Sequence, residues 1–369
     1  MRIGFDAKRA FNNQTGLGNY SRFVIEALSP THPQVGGLEY ILYTPKVKNL
    51  AWLNSFDHNF VIKTSPLGVG GLWRSWLINN DLKKDNVDVF HGLSNEIPFG
   101  INKSGLKSLV TIHDLIFLRY PELYPAIDRF FYQQKFRYAC ENADAIVAVS
   151  QQTKDDIMEF YKIPSERIRV IYQDCQSIFS HSDTLREQVG KEILRKYSLN
   201  KPYIICVSSF SERKNQKRLV EAFQISGLKD YELVLVGGKS KYAEEITQNF
   251  PKNTKILYGV PSAELPVLYQ GASLCVYPSF FEGFGIPIVE ALHSGIPVVA
   301  ATGSCLEEAG GEGALYANPL DVNDLADKMR QVLTNDSLRN DLVLKGKEYI
   351  KQFSSEIIAG QLIKLYNEL

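Results

Sequence analysis

Short apolar runs alternate with longer amphipathic stretches along the whole of this sequence, and that alternation leaves few folds open. A strand-length run followed by a helix-length stretch needs a crossover connection, so neighbouring strands must lie parallel with helices covering the sheet faces. The candidate strands are 3–6, 40–43, 60–63, 87–91, 109–113 and 145–149 in the first half, then 203–208, 232–236, 255–259, 274–277 and 297–301 in the second. At 369 residues the chain is too long for one ordinary core. Two doubly wound α/β domains of roughly 180 residues each follow. The break is expected within 168–181, which sets the domains at 1–168 and 169–353 and leaves a last helix over 354–369.

The 41 basic and 41 acidic side chains cancel, so no basic excess points to nucleic acid. The opening MRIGFDAKRAF enters a strand pattern directly, without the charged and apolar regions of a secretory leader. No run approaches the ~20 apolar residues that cross a bilayer, and the expected location is cytoplasmic. Five cysteines are scattered singly. With no Cys-x-x-Cys and no histidine at ligand spacing they read as small buried side chains, and neither a metal nor another cofactor is expected.

The segment FFEGFGIPIVEALHSGIPVV, 280–299, carries most of the chemistry. Gly283 and Gly285 keep its loop free of side chains beside Phe284 and Ile286, and Pro287 suits the first helical position, where its missing N–H would be an orphan. A helix start of this kind holds about half a positive charge and accepts a phosphate, while Glu290, one turn inside, can accept from hydroxyls. Glu282 stays on the loop beyond the anion. A nucleoside diphosphate sugar, with hydroxyls on both sides of a charged linker, fits that arrangement.

Other segments end candidate strands, where open α/β sheets bind ligands. TGLGNYSRFVIEAL sets Gly16 and Gly18 just before a helix, either for close approach to a phosphate or as a plain turn. SERKNQKRLVEAF puts Arg213 and Lys214 in or beside a first helical turn, where cations oppose the helix dipole. An anion would explain them, and a solvated surface pair is the alternative. In VTIHDLIFLRYPE, Asp114 could orient the ring of His113 or raise its pKa, against a purely structural histidine. His91 and Asn95, in VFHGLSN, line an acceptor or pack the core. Tyr258, Gly259 and Val260 end another strand, Gly237 and Gly238 would widen a cleft, and Ser150 reads as a helix cap.

Taken together these segments resemble the family 4 glycosyltransferases, retaining enzymes of the GT-B fold, whose E-x7-E motif matches Glu282, Glu290 and their flanks. The resemblance implies two Rossmann-like doubly wound domains facing across a cleft, with the last helix crossing back to the first. It implies that Glu290 holds the ribose of a nucleotide sugar, that Glu282 and His113 meet the donor sugar, and that Arg213, Lys214 and the amides of 283–286 carry the departing diphosphate. The loop of Gly16 and Gly18 would face that diphosphate, and Val260 with its neighbours the nucleobase. VTIHDLIFLRYPE resembles a subset rich in mannosyl- and rhamnosyltransferases. VIYQDCQSIF departs from the family pattern where many relatives carry Asn-Gly-Val-Asp, so the hinge is expected to differ.

With no Asp-x-Asp triplet to hold a divalent metal, protein groups must neutralise the leaving group. The implied activity is transfer of a hexose, mannose from GDP-mannose, to a hydroxyl of a growing polysaccharide or lipid-linked glycan. Another nucleotide-sugar enzyme on the same fold, an epimerase or a phosphorylase, and a non-catalytic nucleotide-binding subunit remain the alternatives. Trp52, Trp73, Trp76 and RFFYQQKFRY, 129–138, mix aromatic and basic residues. They suit either ordinary packing or peripheral contact with the inner face of the cell membrane.

Overall fold

Thirteen parallel strands form in two sheets in the computed structural model, which describes residues 1–13, 15–28, 37–48, 60–66, 70–175, 177–179, 186–247 and 250–369. In the first sheet β1 (Arg2–Asp6), β2 (Glu39–Thr44), β3 (Val61–Thr64), β4 (Val89–Gly92), β5 (Lys107–Ile112), β6 (Ala145–Ala148) and β7 (Ile168–Val170) lie in the order β3-β2-β1-β4-β5-β6-β7. The second holds β8 (Tyr203–Val207), β9 (Glu232–Gly237), β10 (Thr254–Tyr258), β11 (Leu274–Tyr277), β12 (Val298–Ala301) and β13 (Ala314–Ala317) in the order β10-β9-β8-β11-β12-β13. Both are doubly wound, with a reversal of strand order at β1/β4 and at β8/β11, where the carboxyl ends leave a crevice for ligand. The central strands are buried on both faces, hence their continuous Val, Ile and Leu runs.

The chain divides into two compact units, Met1–Asp174 with Phe353–Leu369, and Cys175–Gln352. The expected border at 168/169 falls inside β7, whose Ile168, Arg169 and Val170 pair with Ile146, Val147 and Ala148 of β6. Ladder pairing therefore keeps this segment in the first unit. Residues 176, 180 and 181 of the expected break lie outside the described residues.

The helix Ser355–Glu368 belongs to the first unit, where Tyr366 is fully buried and its hydroxyl meets His91 Nδ1 at 2.8 Å. Ser354 caps that helix by accepting from the Ile357 N–H. In the second unit the cluster around Leu235, Val276, Met329 and Phe223 forms the core under β8, β9 and β11. All five cysteines are buried, and none of them forms a disulfide.

Candidate active site

Beyond β11 the chain runs through a loop into the helix Ile286–His293, and Glu282 lies in that loop with 9% of its surface exposed. One of its oxygens, Oε1, gathers four donors: Lys214 Nζ at 2.5 Å, Ser279 Oγ at 2.5 Å, Arg213 Nη1 at 2.7 Å and the Tyr277 hydroxyl at 3.2 Å. Lys214 also donates to the Tyr277 hydroxyl at 2.6 Å, and Arg213 to the Phe281 carbonyl. Burial alone would raise the Glu282 pKa, but Lys214 and Arg213 outweigh it and bring the carboxyl down to about 2. The same burial pulls Lys214 downward, against the attraction of Glu282. A carboxylate so committed is a fixed negative charge and a poor nucleophile.

The basic pair reaches Glu282 through a local fold the sequence encodes at Asn215. After β8, residues Glu212–Lys214 form a 3-10 turn, and Asn215 takes the left-handed conformation (φ 60°) before the helix Gln216–Ile225 begins. Asparagine tolerates that region better than most residues. Its amide donates to the carbonyls of Pro278 (3.1 Å) and Pro319 (2.8 Å), while the Phe280 N–H and the Ser279 hydroxyl bond to the Arg213 carbonyl. The anion that Arg213 and Lys214 demand is thus, in the first place, Glu282. Arg213 and Lys214, assigned from the sequence to the diphosphate, and Glu282, assigned to the donor sugar, form one ion cluster.

Glu290 occupies a different environment. Gly285 takes φ 124°, and a Cβ there would stand 2.9 Å from Leu306 Cδ2, so the turn into the helix needs glycine. Ile286 is the first helical residue, and Pro287 the second rather than the first. The first turn leaves backbone N–H groups without partners inside the helix. Glu290 is buried, and among the described residues no cation is paired with it. Its Oε2 accepts from the Tyr269 hydroxyl at 3.0 Å, and burial lifts its pKa to about 7 despite that bond. Gly283 and Phe284 complete the loop, with Phe284 buried and Cys305 Sγ donating to the Glu282 carbonyl at 3.1 Å.

At the end of edge strand β10, Gly259 (φ 66°) precedes Val260, and exposed Tyr258 meets Phe210 at 6.0 Å. Gly237 does not widen a cleft. A Cβ there would lie 2.3 Å from the Ser208 carbonyl, so it permits the close approach of β8 and β9, whereas Gly238 has open space.

In the first unit His113 follows β5 and is buried. Its ring Nε2 sits 2.9 Å from the Leu93 carbonyl, which can only accept, so Nε2 carries the hydrogen. Tyr20 packs edge-on at 4.6 Å. Burial brings the His113 pKa down to about 4, partly offset by the Leu93 bond. The expectation that Asp114 orients this ring or raises its pKa is therefore corrected: Asp114 Oδ1 accepts from the Ile116 N–H at 3.2 Å, opening the short helix Ile116–Arg119.

His91 has no exposed surface and bonds Tyr366 through Nδ1 and Thr111 through Nε2, each at 2.8 Å. It packs the core and lines no acceptor. Asn95, at φ 63° and buried, also departs from the expected lining role, since its Oδ1 accepts from the His113 N–H at 2.7 Å.

Gly16 and Gly18 lie inside the first turn of the helix Gly16–Ala27 rather than before it. A Cβ on Gly18 would stand 1.9 Å from the Asn13 carbonyl, whereas one on Gly16 would meet nothing within 4 Å. Ser150 caps the helix Gln151–Tyr161 by accepting from the Thr153 N–H at 3.0 Å. Of the aromatic stretch, Trp73 is buried and donates to Asp81 at 2.6 Å, which removes it from any surface, while Trp76 is exposed and Trp52 lies outside the described residues.

The sequence reading missed Tyr277, Ser279 and Tyr269. The first two stand five and three residues before Glu282, a spacing visible in the sequence, but nothing local marks Tyr269.

Two family models cover most of the chain: "Glycosyl transferases group 1" matches residues 191–349, and "Glycosyltransferase Family 4" matches residues 36–173. Each half of the chain thus carries a glycosyltransferase family domain, and the fold is GT-B. This glycosyltransferase is 28% identical over 396 residues to the O-antigen chain mannosyltransferase B of Escherichia coli, an alignment spanning 100% of both proteins. It is also 28% identical over 217 residues to the O-antigen chain mannosyltransferase RfbU of Salmonella typhimurium, covering 58% of this chain and 57% of that one. Among solved structures, the glycosyltransferase superposes on Anabaena HepE in complex with UDP-glucose with a TM-score of 0.77, at 17% identity and over 100% of each chain. A glycosyltransferase from Rickettsia africae gives 0.76 at 18% identity, over 100% of this chain and 98% of the other.

Proposed function

We propose that this glycosyltransferase moves mannose from GDP-mannose, with retention and without a metal ion, to a hydroxyl of a growing O-antigen-like or lipid-linked glycan. The observation that carries the reading is the cluster of Arg213 and Lys214 on Glu282, set at a helix start with Glu290 one turn inside. Two cations and a helix start at one place can take up the charge that develops on a departing diphosphate. Glu290 as a carboxylate accepts from the ribose hydroxyls. Glu282, with its charge tied to two cations, orients the sugar rather than attacking it, which supports same-face departure and attack within an ion pair. His113, neutral and turned by Leu93, meets the donor sugar through hydrogen bonding. The names of the two O-antigen mannosyltransferases support mannose and a lipopolysaccharide-type glycan.

Peripheral contact with an anionic membrane belongs to the same reading. Ile127, Phe130 and Phe131 stand exposed at helical spacing on Ala126–Asn142, with Lys135 and Arg137 on the same helix. Co-sedimentation with phosphatidylglycerol vesicles but not with phosphatidylcholine vesicles is expected.

A thermal-shift panel of GDP, UDP and dTDP, followed by transfer from the stabilising nucleotide's mannose or glucose donor in EDTA, tests the main reading. GDP at 100 times its Kd adds about 2.7 kcal/mol of stability. The product's anomeric configuration, read by NMR, should match the donor's. No stabilisation by any of the three, or loss of transfer in EDTA that magnesium restores, would overturn it.

A further inference from the structure

The carboxyl ends of β1, β2 and β3 border an open cavity of about 490 Å³ built within the first unit alone. Four cations line it: Lys8 just past β1, Lys46 just past β2, Arg74, and Lys135 of the helix Ala126–Asn142. Arg74 is fully engaged, with Asp6 Oδ2 at 2.5 Å on one side of its guanidinium and Glu96 Oε2 at 2.6 Å on the other. Lys135 shares Glu96 at 3.4 Å. Those two carboxylates balance two of the cations. Among the described residues neither the Lys8 nor the Lys46 ammonium stands in an ion pair or a hydrogen bond.

Backbone contacts hold in place the rim that carries half-buried Lys8 and exposed Lys46. A single side-chain amide, Asn12 Nδ2, donates to the carbonyls of Lys46 (2.9 Å) and Lys8 (3.1 Å), fixing both backbones from one point. Ser65 Oγ ties the end of β3 to the Pro45 carbonyl at 3.1 Å, and Gly70 passes so near Pro45 that a Cβ would stand 3.0 Å from it. Arg74 sits in a π-helical segment, Trp73–Leu77, a rare distortion that recurs at functional sites. Lys8 is half-buried, and burial with Arg74 and Arg9 as like-charged neighbours pushes its pKa down against the opposing pull of Asp6 and Glu96. A desolvated ammonium beside two guanidiniums is stabilised by an anion.

We propose that this cavity binds the phosphate or diphosphate group of the acceptor, gripped by Lys8 and Lys46. The available donors decide between anions. Both arms of the Arg74 fork are occupied, so the planar two-point grip that suits a carboxylate is missing, and two ammonium point charges remain, which suit tetrahedral phosphate oxygens. The position at the ligand end of the first sheet assigns the group to the acceptor. This inference rests on the glycosyl-transfer reading and adds the acceptor's charge to it.

The test uses inorganic pyrophosphate as the probe, titrated into the protein with saturating GDP so that a nucleotide site is already filled. One further equivalent is expected to bind to the wild type. Lys8→Met with Lys46→Met should weaken that event at least tenfold and leave GDP affinity within twofold, which also shows that the variant is folded. Lys8→Arg with Lys46→Arg should retain most of the binding.

In transfer assays the wild type should prefer a diphosphate-bearing glycan over its methyl glycoside by at least tenfold in KM, and the methionine variant should lose that preference. A lipid-linked diphosphate and a soluble sugar diphosphate, run side by side, identify the source of the group. Absence of a second pyrophosphate equivalent, or equal binding by the methionine variant, would overturn the proposal. If GDP itself fails to bind, the transfer reading falls while the pyrophosphate titration still reports on the cavity.

Discussion

The ligand ends of the two sheets share a topology and differ in how they handle charge. In the first unit the polar groups behind His113 form a neutral chain, Tyr366 to His91 to Thr111 to Tyr20, with both imidazoles held uncharged by burial. In the second unit Glu282 is a full charge locked by two cations, and Glu290 is a carboxyl poised near neutrality. The contrast is one of position: the polar groups past β4 and β5 of the first sheet are neutral, while those past β8 and β11 of the second are charged. The same doubly wound scaffold therefore carries either arrangement at the strands where its order reverses.

The largest test of the comparison is Glu282→Gln. It leaves Lys214 and Arg213 buried side by side without a counter-ion, and breaking a buried pair this way costs about 3–5 kcal/mol. Urea unfolding should show that loss, with turnover falling more than the donor KM rises. A second change, Lys214→Met, should recover part of the stability. If Glu282→Gln is neutral, the second unit is no more charge-dependent than the first.

Acidification should next separate the units by sign. His91 and His113 have folded pKa values of about 3 and about 4, below the value of 6.5 for an exposed imidazole, so the unfolded chain binds more protons and the first unit weakens as pH falls through 6.5. Each histidine contributes about 1.4 kcal/mol per pH unit in that window. Glu290 runs the other way. Its folded pKa of about 7 lies above the ordinary 4.5, so between pH 7 and 4.5 the folded state holds the extra proton and the second unit gains stability, on the order of 3 kcal/mol in all. Below 4.5 that gain is complete, and Glu282 begins to lose its contribution as pH falls toward 2. Hydrogen exchange followed peptide by peptide, corrected for intrinsic rates, should show opposite slopes from pH 6.5 to 4.5, and Glu290→Gln should flatten the second. Parallel slopes would break the comparison.

The smallest effect is local. Ser150→Ala removes a cap worth about 1 kcal/mol from the helix whose Thr153 hydroxyl donates to the His113 carbonyl at 3.2 Å. Thermal unfolding should register the loss, while the pH slope of the first unit stays unchanged.

The α/β architecture was readable because central strands buried on both faces must be apolar throughout. Of the four edge strands, β3 and β10 were legible and the other two were not. β7 and β13, each at the rim of its sheet, have three and four residues, Ile-Arg-Val and Ala-Leu-Tyr-Ala, and neither was recognised. Missing β7 displaced the domain border. The residues of the charged site were legible by type and by place in a motif, but their pairing was not. Lys214 and Glu282 lie 68 positions apart, and only the adjacency of β8 and β11 joins them. His91 was left between lining an acceptor and packing the core because a histidine at a strand end looks the same whether it faces ligand or, as here, a tyrosine 275 positions away.

That tyrosine belongs to Phe353–Leu369, a part of the first unit made only after the whole of the second. On the ribosome, at about 5–20 residues per second, His91 of β4 must wait tens of seconds before the helix that carries its partner Tyr366 emerges. The second unit, contiguous from Cys175 to Gln352, has no such delay. Chaperone dependence during synthesis should therefore fall on the earlier-made half, the reverse of the usual order in which the first domain translated is the first to be safe.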